Sequence, residues 1–95
     1  RMETDLRRAL DKGEFDIYYQ PIIAMEDQHV LGFEALLRWH HPSRGLVMPE
    51  ELIGIVEDTS LVVPIGWWVI ERACYQLAKW QRLFPLTPPL AMSIN

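Results

Sequence analysis

Cysteine is nearly absent: Cys74 is the single one among 95 residues. An internal disulfide is therefore excluded, and with it a cysteine-stapled secreted scaffold. Positive charge is also in short supply. Nine Lys and Arg stand against 13 Asp and Glu, a net charge of −4, which argues against a surface that tracks a nucleic-acid backbone. Long hydrophobic runs are missing. The longest, Leu61 to Ile70, is interrupted by Pro64 and Gly66 and falls short of the roughly 20 residues that span a bilayer. The opening Arg1-Met2-Glu3-Thr4-Asp5 carries acids and no apolar stretch, so no signal peptide is read and a soluble cytoplasmic piece is the expectation. There is no internal repeat, no Gly-rich phosphate loop, no Cys-x-x-Cys pair and no Gly-x-Ser-x-Gly elbow. What is present is 49% hydrophobic residues. That excludes intrinsic disorder and suits a single domain or part of one.

Leu6, Ala9 and Leu10 share one side of a helix predicted over 3–12, with Gly13 as its stop. Ile and Tyr enrichment predicts a strand over 16–23, a polar turn over 24–29 and a second strand over 30–39, together an antiparallel hairpin. A loop is expected at 41–45. Pro49 suits the first position of a helix, and Glu50 and Glu51 favour its positive end. That helix should run to about Asp58, break at Thr59-Ser60, and be followed by a longer one ending near Leu83. Pro85, Pro88 and Pro89 forbid its continuation. Within the long helix, Val69, Ala73, Leu77 and Trp80 form one apolar stripe, and Trp67, Ile70 and Cys74 a second. Both read as packing surfaces, and Cys74 as a small core residue. Residues 90–95 begin a further strand. This order suits the opening of an α/β sheet or barrel.

The second strand holds the candidate chemistry. Alternation puts Leu31, Phe33, Ala35, Leu37 and Trp39 on one face, and Val30, Gly32, Glu34, Leu36 and Arg38 on the other. A Glu amid apolar residues must pair, bind a metal or reach water, because a buried unpaired carboxylate costs several kcal/mol. A simple Glu34–Arg38 surface pair is one alternative. A hairpin turning about Asp27 pairs residues whose numbers sum to 54, placing Gln20 opposite Glu34 and Tyr18 opposite Leu36. Opposed side chains share a face, so Gln20, Glu34 and Arg38 form one polar patch. A slip of one residue would undo it. The adjacent His40 and His41 read as loop or surface residues, not as metal ligands.

Glu34-Ala35-Leu36-Leu37-Arg38-Trp39 followed by His41-Pro42 resembles the signature of the EAL domain, the family of bacterial cyclic di-GMP phosphodiesterases. Tyr19-Gln20-Pro21-Ile22, Gly45-Leu46-Val47, Pro49-Glu50-Glu51-Leu52-Ile53, Gly66, Trp68-Val69, Ala73-Cys74, Trp80 and Ser93-Ile94-Asn95 extend the resemblance across 14–95. The resemblance implies the N-terminal part of a (β/α)8 (TIM-like) barrel with an antiparallel first strand, a fold that needs about 250 residues when complete. It implies metal-dependent hydrolysis of cyclic di-GMP to a linear dinucleotide with Mg²⁺ or Mn²⁺. Glu34 is then the catalytic metal ligand and Asn95 a second ligand. Arg38 holds a substrate phosphate, and Gln20 binds at the substrate or metal edge. Ser60, Trp67 and Val56 depart from the family's usual residues, away from these positions.

The family's later carboxylates and its catalytic Lys lie beyond Asn95. The 95 residues alone are thus expected to be inactive and to hold the metal weakly. Helix 1–13 resembles a connector to an upstream diguanylate-cyclase-type (GGDEF) domain, with the EAL portion beginning at 14. An inert cyclic di-GMP receptor and a protein-interaction module are the alternatives to an enzyme. No nucleic-acid duplex and no membrane contact is expected from this segment. The first and third strands should expose open edges, from which a homo-oligomer is expected.

Overall fold

The computed structural model describes residues 2–94. In chain order these form α1 (Met2–Lys12), β1 (Phe15–Ile23), β2 (Val30–His41), β3 (Gly45–Val47), α2 (Pro49–Glu57), α3 (Val62–Leu83) and β4 (Ala91–Ile94). Gly13, at φ +71°, takes the left-handed conformation just past α1, as a helix stop requires. The Thr59 hydroxyl donates to the Val56 carbonyl and accepts the Leu61 N–H, both at 3.1 Å, and so stitches the break between α2 and α3. The remaining elements lie within one or two residues of expectation, and β3 is an addition. β2 continues through His40 and His41, and Gly45–Val47 returns antiparallel beside Trp39–His41.

β2 is the centre of an open sheet. β1 pairs antiparallel along one edge, from Phe15↔Trp39 to Ile22↔Gly32, with a bulge before Ile23↔Val30. The other edge is shared between β3 and β4, which runs parallel to Gly32–Ala35. The antiparallel first strand and the incomplete α/β barrel architecture are as the sequence implied. At Gly32 a Cβ would lie 2.3 Å from the Ala91 carbonyl oxygen, so only glycine lets β4 come this close.

One face of the sheet is covered by α3 and carries the core. Phe15, Ile17, Ala35 and Trp39 from the strands meet Ile65, Val69 and Ala73 from α3, with Leu6 and Ala9 of α1 at one end. Trp39 is fully buried, its ring 5.9 Å from Phe15 and 5.2 Å from His41. Trp80 packs between Tyr19 at 5.1 Å and Phe33 at 4.5 Å. Only the first stripe of α3 faces the sheet. Cys74 is exposed, against expectation, because one helical step from Ala73 carries it about 100° off the buried face. Trp67 is 66% exposed and Ile70 42%, so the second stripe points outward. None of the described helices is long and apolar enough to cross a membrane.

His41 also corrects the sequence reading: it is 8% exposed and part of a polar lock between α1 and the sheet. Its Nδ1 accepts the N–H groups of Ser43 and Arg44, each at 3.1 Å. Nε2 therefore carries the proton and donates to Asp5 Oδ2 at 3.0 Å. Arg8 bridges Asp5 Oδ1 and Glu14 Oε2, each at 3.2 Å, and Glu14 Oε1 accepts the Trp39 indole N–H at 3.0 Å. The His41 hydrogen bond holds the Asp5 carboxyl below its ordinary value of 3.8, with Arg8 adding to it. Burial pushes Glu14 up, but the Trp39 and Arg8 hydrogen bonds outweigh it and hold the group below 4.5. Both carboxyls thus bind protons less readily folded than unfolded. Their contribution to stability is present above those ordinary values and lost as pH falls through the lowered ones. Thermal melts are expected to weaken progressively below pH 4.5, and less steeply in Asp5→Asn. A melting temperature that stays flat down to pH 3 (roughly the bottom of the carboxylate range) would contradict this assignment.

Candidate functional site

The face of the sheet away from α3 carries the candidate site. β1 pairs Gln20 with Glu34, and β4 pairs Ser93 with the same Glu34. Three oxygen-bearing side chains therefore form one row across three strands. Directly opposed Cβ atoms on an antiparallel pair lie about 4.5–5.5 Å apart, so Gln20 is within reach of Glu34. The hairpin register is the one whose paired numbers sum to 54, through Tyr18↔Leu36 and Asp16↔Arg38. Glu34 and Arg38 are half-buried, and Gln20 and Ser93 are exposed. Glu34 is thus partly screened from solvent between two exposed neighbours in the row.

Four residues on from Glu34, Arg38 returns to the same face. Its Nη1 donates to the Leu37 carbonyl at 3.0 Å, and its guanidinium lies 5.3 Å from the Tyr18 ring centre. Tyr18 Oη and His40 Nε2 are 3.3 Å apart. Gln20, Glu34 and Arg38 are therefore brought together as the alternation predicts. Asn95 lies outside the described residues. Tyr18 lies on this face as its pairing with Leu36 predicts, whereas Ser93 and His40 join it unpredicted. Strand alternation from Glu34 and Arg38 is the signal that finds His40. Ser93 depends on a parallel pairing across a long crossover, which no turn signal sets.

A divalent Mg²⁺ or Mn²⁺ takes about six hard oxygen ligands. The Glu34 carboxylate, Gln20 amide oxygen and Ser93 hydroxyl are of that kind. Among the described residues no three His, Cys, Asp or Glu side chains gather as a metal cluster. The row therefore fits such an ion in donor chemistry and supplies a single carboxylate of the set. A cavity of about 240 Å³ lies elsewhere, between β1 and α3, beside Tyr19, Trp68 and Arg72. It belongs to the packing side of the sheet and touches none of the row.

Comparison with known proteins points the same way. The family model described as "EAL domain" matches residues 3–95. The uncharacterized protein y4lL of Sinorhizobium fredii is 45% identical over 80 residues, covering 84% of this chain and 10% of its own length. The solved complex of the PaMucR phosphodiesterase with c-di-GMP superposes with a TM-score of 0.87 at 36% identity, covering 99% of this chain and 37% of that one. The EAL enzyme Bd1971, bound to cAMP and cyclic di-GMP, gives 0.88 at 38% identity, covering 99% of this chain and 27% of that one. The chain spans well under half the length of each of these relatives. With the signature strand at the sheet centre and its glutamate in register with Gln20, the chain belongs to the EAL domain family.

Proposed function

We propose that this chain supplies the Gln20–Glu34–Arg38 face of a phosphodiesterase that opens cyclic di-GMP to the linear dinucleotide. The observation that carries the reading is the register. One residue of slip would turn Gln20 to the opposite face from Glu34, and the observed pairing sets them side by side. The cyclic di-GMP in the solved relatives supports the choice of substrate.

Each residue has a distinct part. Arg38 binds a phosphate through its guanidinium fork, and Gln20 orients the dinucleotide with its amide. Glu34 would be one ligand to a divalent ion, and Asn95 a second. An ion held there would lower the pKa of a bound water and offset charge on the phosphate. Water adds across one P–O bond, leaving a phosphomonoester on one nucleotide and a hydroxyl on the other.

The full-length protein is expected to convert cyclic di-GMP to linear product with Mn²⁺ present. Arg38→Ala should raise KM about 10- to 100-fold, the range for a lost charge-assisted hydrogen bond, with a smaller effect on kcat. Binding without turnover by the full-length protein would identify an inert receptor instead. Neither binding nor turnover would favour an interaction module.

We also propose α1 as the connector to an upstream diguanylate-cyclase-type domain, and a cytoplasmic setting in keeping with the exposed free thiol of Cys74. The 95 residues in isolation should self-associate. Trp67, Ile70, Val63 and Tyr75 are exposed along α3, and β1 presents an open edge. Sedimentation equilibrium of the isolated chain checks this: a clean 11.1 kDa monomer at micromolar concentration would refute it.

A further inference from the structure

Tyr18 opposes Leu36 across the hairpin, so Arg38 is its diagonal neighbour on the same face. The Arg38 guanidinium lies 5.3 Å from the centre of the Tyr18 ring. The Tyr18 hydroxyl reaches His40 Nε2 at 3.3 Å, with the two rings 6.1 Å apart. Asp16 stands directly across from Arg38, and its Oδ1 takes the Ile17 N–H at 2.8 Å. The aromatic ring thus lies against the arginine, and its hydroxyl meets the histidine.

The physics of this contact suits a phosphate-binding arginine. A ring engages the flat face of a guanidinium, whereas hydrogen bonds leave along its edges. With Tyr18 against its face and Nη1 donating to the Leu37 carbonyl, the guanidinium keeps its Nε and Nη2 edge for phosphate oxygens. A long arginine must also give up rotamer freedom before that fork can close on a ligand. Holding it against a ring on the adjacent strand meets that cost before the ligand arrives. The tether matters because Tyr18 is itself exposed, and without His40 its ring has freedom to swing away.

We infer that Tyr18, tethered by His40, is a positioning residue that holds the Arg38 guanidinium edge-on to a phosphate of the dinucleotide. This rests on the phosphate-binding reading of Arg38 given above. The test is steady-state kinetics of the full-length protein on cyclic di-GMP with Tyr18→Leu, Tyr18→Phe, Arg38→Ala and the Tyr18→Leu/Arg38→Ala pair. Tyr18→Leu keeps apolar bulk and removes the ring face. It should raise KM about fivefold, the scale of one exposed cation–π contact, with kcat unchanged. Tyr18→Phe keeps the ring but loses the hydroxyl that meets His40, and its KM should fall between those of wild type and Tyr18→Leu. In the Arg38→Ala background, Tyr18→Leu should add nothing. Tyr18→Thr, a second ringless strand former, repeats the measurement if Tyr18→Leu does not fold.

An unchanged KM in Tyr18→Leu beside a raised KM in Arg38→Ala would overturn the positioning role and leave the phosphate role of Arg38 standing. Additive effects in the double variant, or a loss confined to kcat, would also overturn it. An Arg38→Ala enzyme with normal KM would overturn the phosphate role and the inference with it.

Discussion

In the full-length protein, Glu34→Gln is expected to lower cyclic di-GMP turnover by at least about a hundredfold, because residues that merely support a metal ligand already cost 10- to 100-fold. The change is nearly isosteric. It keeps an oxygen in the row between Gln20 and Ser93 and removes the negative charge that a hard cation needs. The fold should survive, since Glu34 lies on the face away from the buried core. A calorimetric Mn²⁺ titration gives a second readout, independent of turnover, and should show weakened binding. Wild-type turnover by Glu34→Gln at saturating Mn²⁺ would show that the carboxylate is no ligand.

The largest effect on stability is expected from Trp39→Ala. Trp39 is fully buried and contacts Phe15 and His41 through its ring, while its indole N–H satisfies Glu14. Truncating a buried aromatic to Ala costs about 3–5 kcal/mol, a large share of the 5–15 kcal/mol that holds a typical domain folded. Trp39→Phe separates the two contributions. It keeps most of the packing and removes the donor to Glu14, which Arg8 continues to bind. Urea denaturation should rank the variants wild type, Trp39→Phe, Trp39→Ala in falling order of midpoint. A Trp39→Phe midpoint as low as that of Trp39→Ala would shift the weight from the packed ring to the hydrogen bond.

The hairpin and the faces of its strands were legible in the sequence because both follow from local rules. Alternation assigns Glu34 and Arg38 to one face, but the pairing depends on the bulge as well as the turn: Ile23↔Val30 at the tip sums to 53, and the pairs below the bulge sum to 54. The α3 surface was less so. Periodicity marks Trp67, Ile70 and Cys74 as an apolar stripe, but it carries no information on what covers them, and in this chain they face outward. His41 escaped for the opposite reason. Pro42 makes it look like a loop residue, whereas its burial depends on Asp5, 36 positions away. The register of β4 escaped too, because parallel strands meet through a crossover and not through a turn. That register placed Ser93 beside Glu34.

The bulge near the tip of the hairpin divides it into two zones with different evolutionary freedom. Gly32 pairs with Ile22, and Val30 with Ile23, so Leu31 is the extra residue. The connection over 24–29 lies beyond this irregularity. A residue gained or lost there is absorbed by a shift of the bulge, and the chain below keeps its parity. Between Gln20 and Ile22, or between Gly32 and Glu34, no such slack exists: one inserted residue inverts the side chain that follows it. Length variation should therefore accumulate at the hairpin tip and vanish within the two short stretches that connect the bulge to the row, so that homologues can acquire new tips without rebuilding the ligand face.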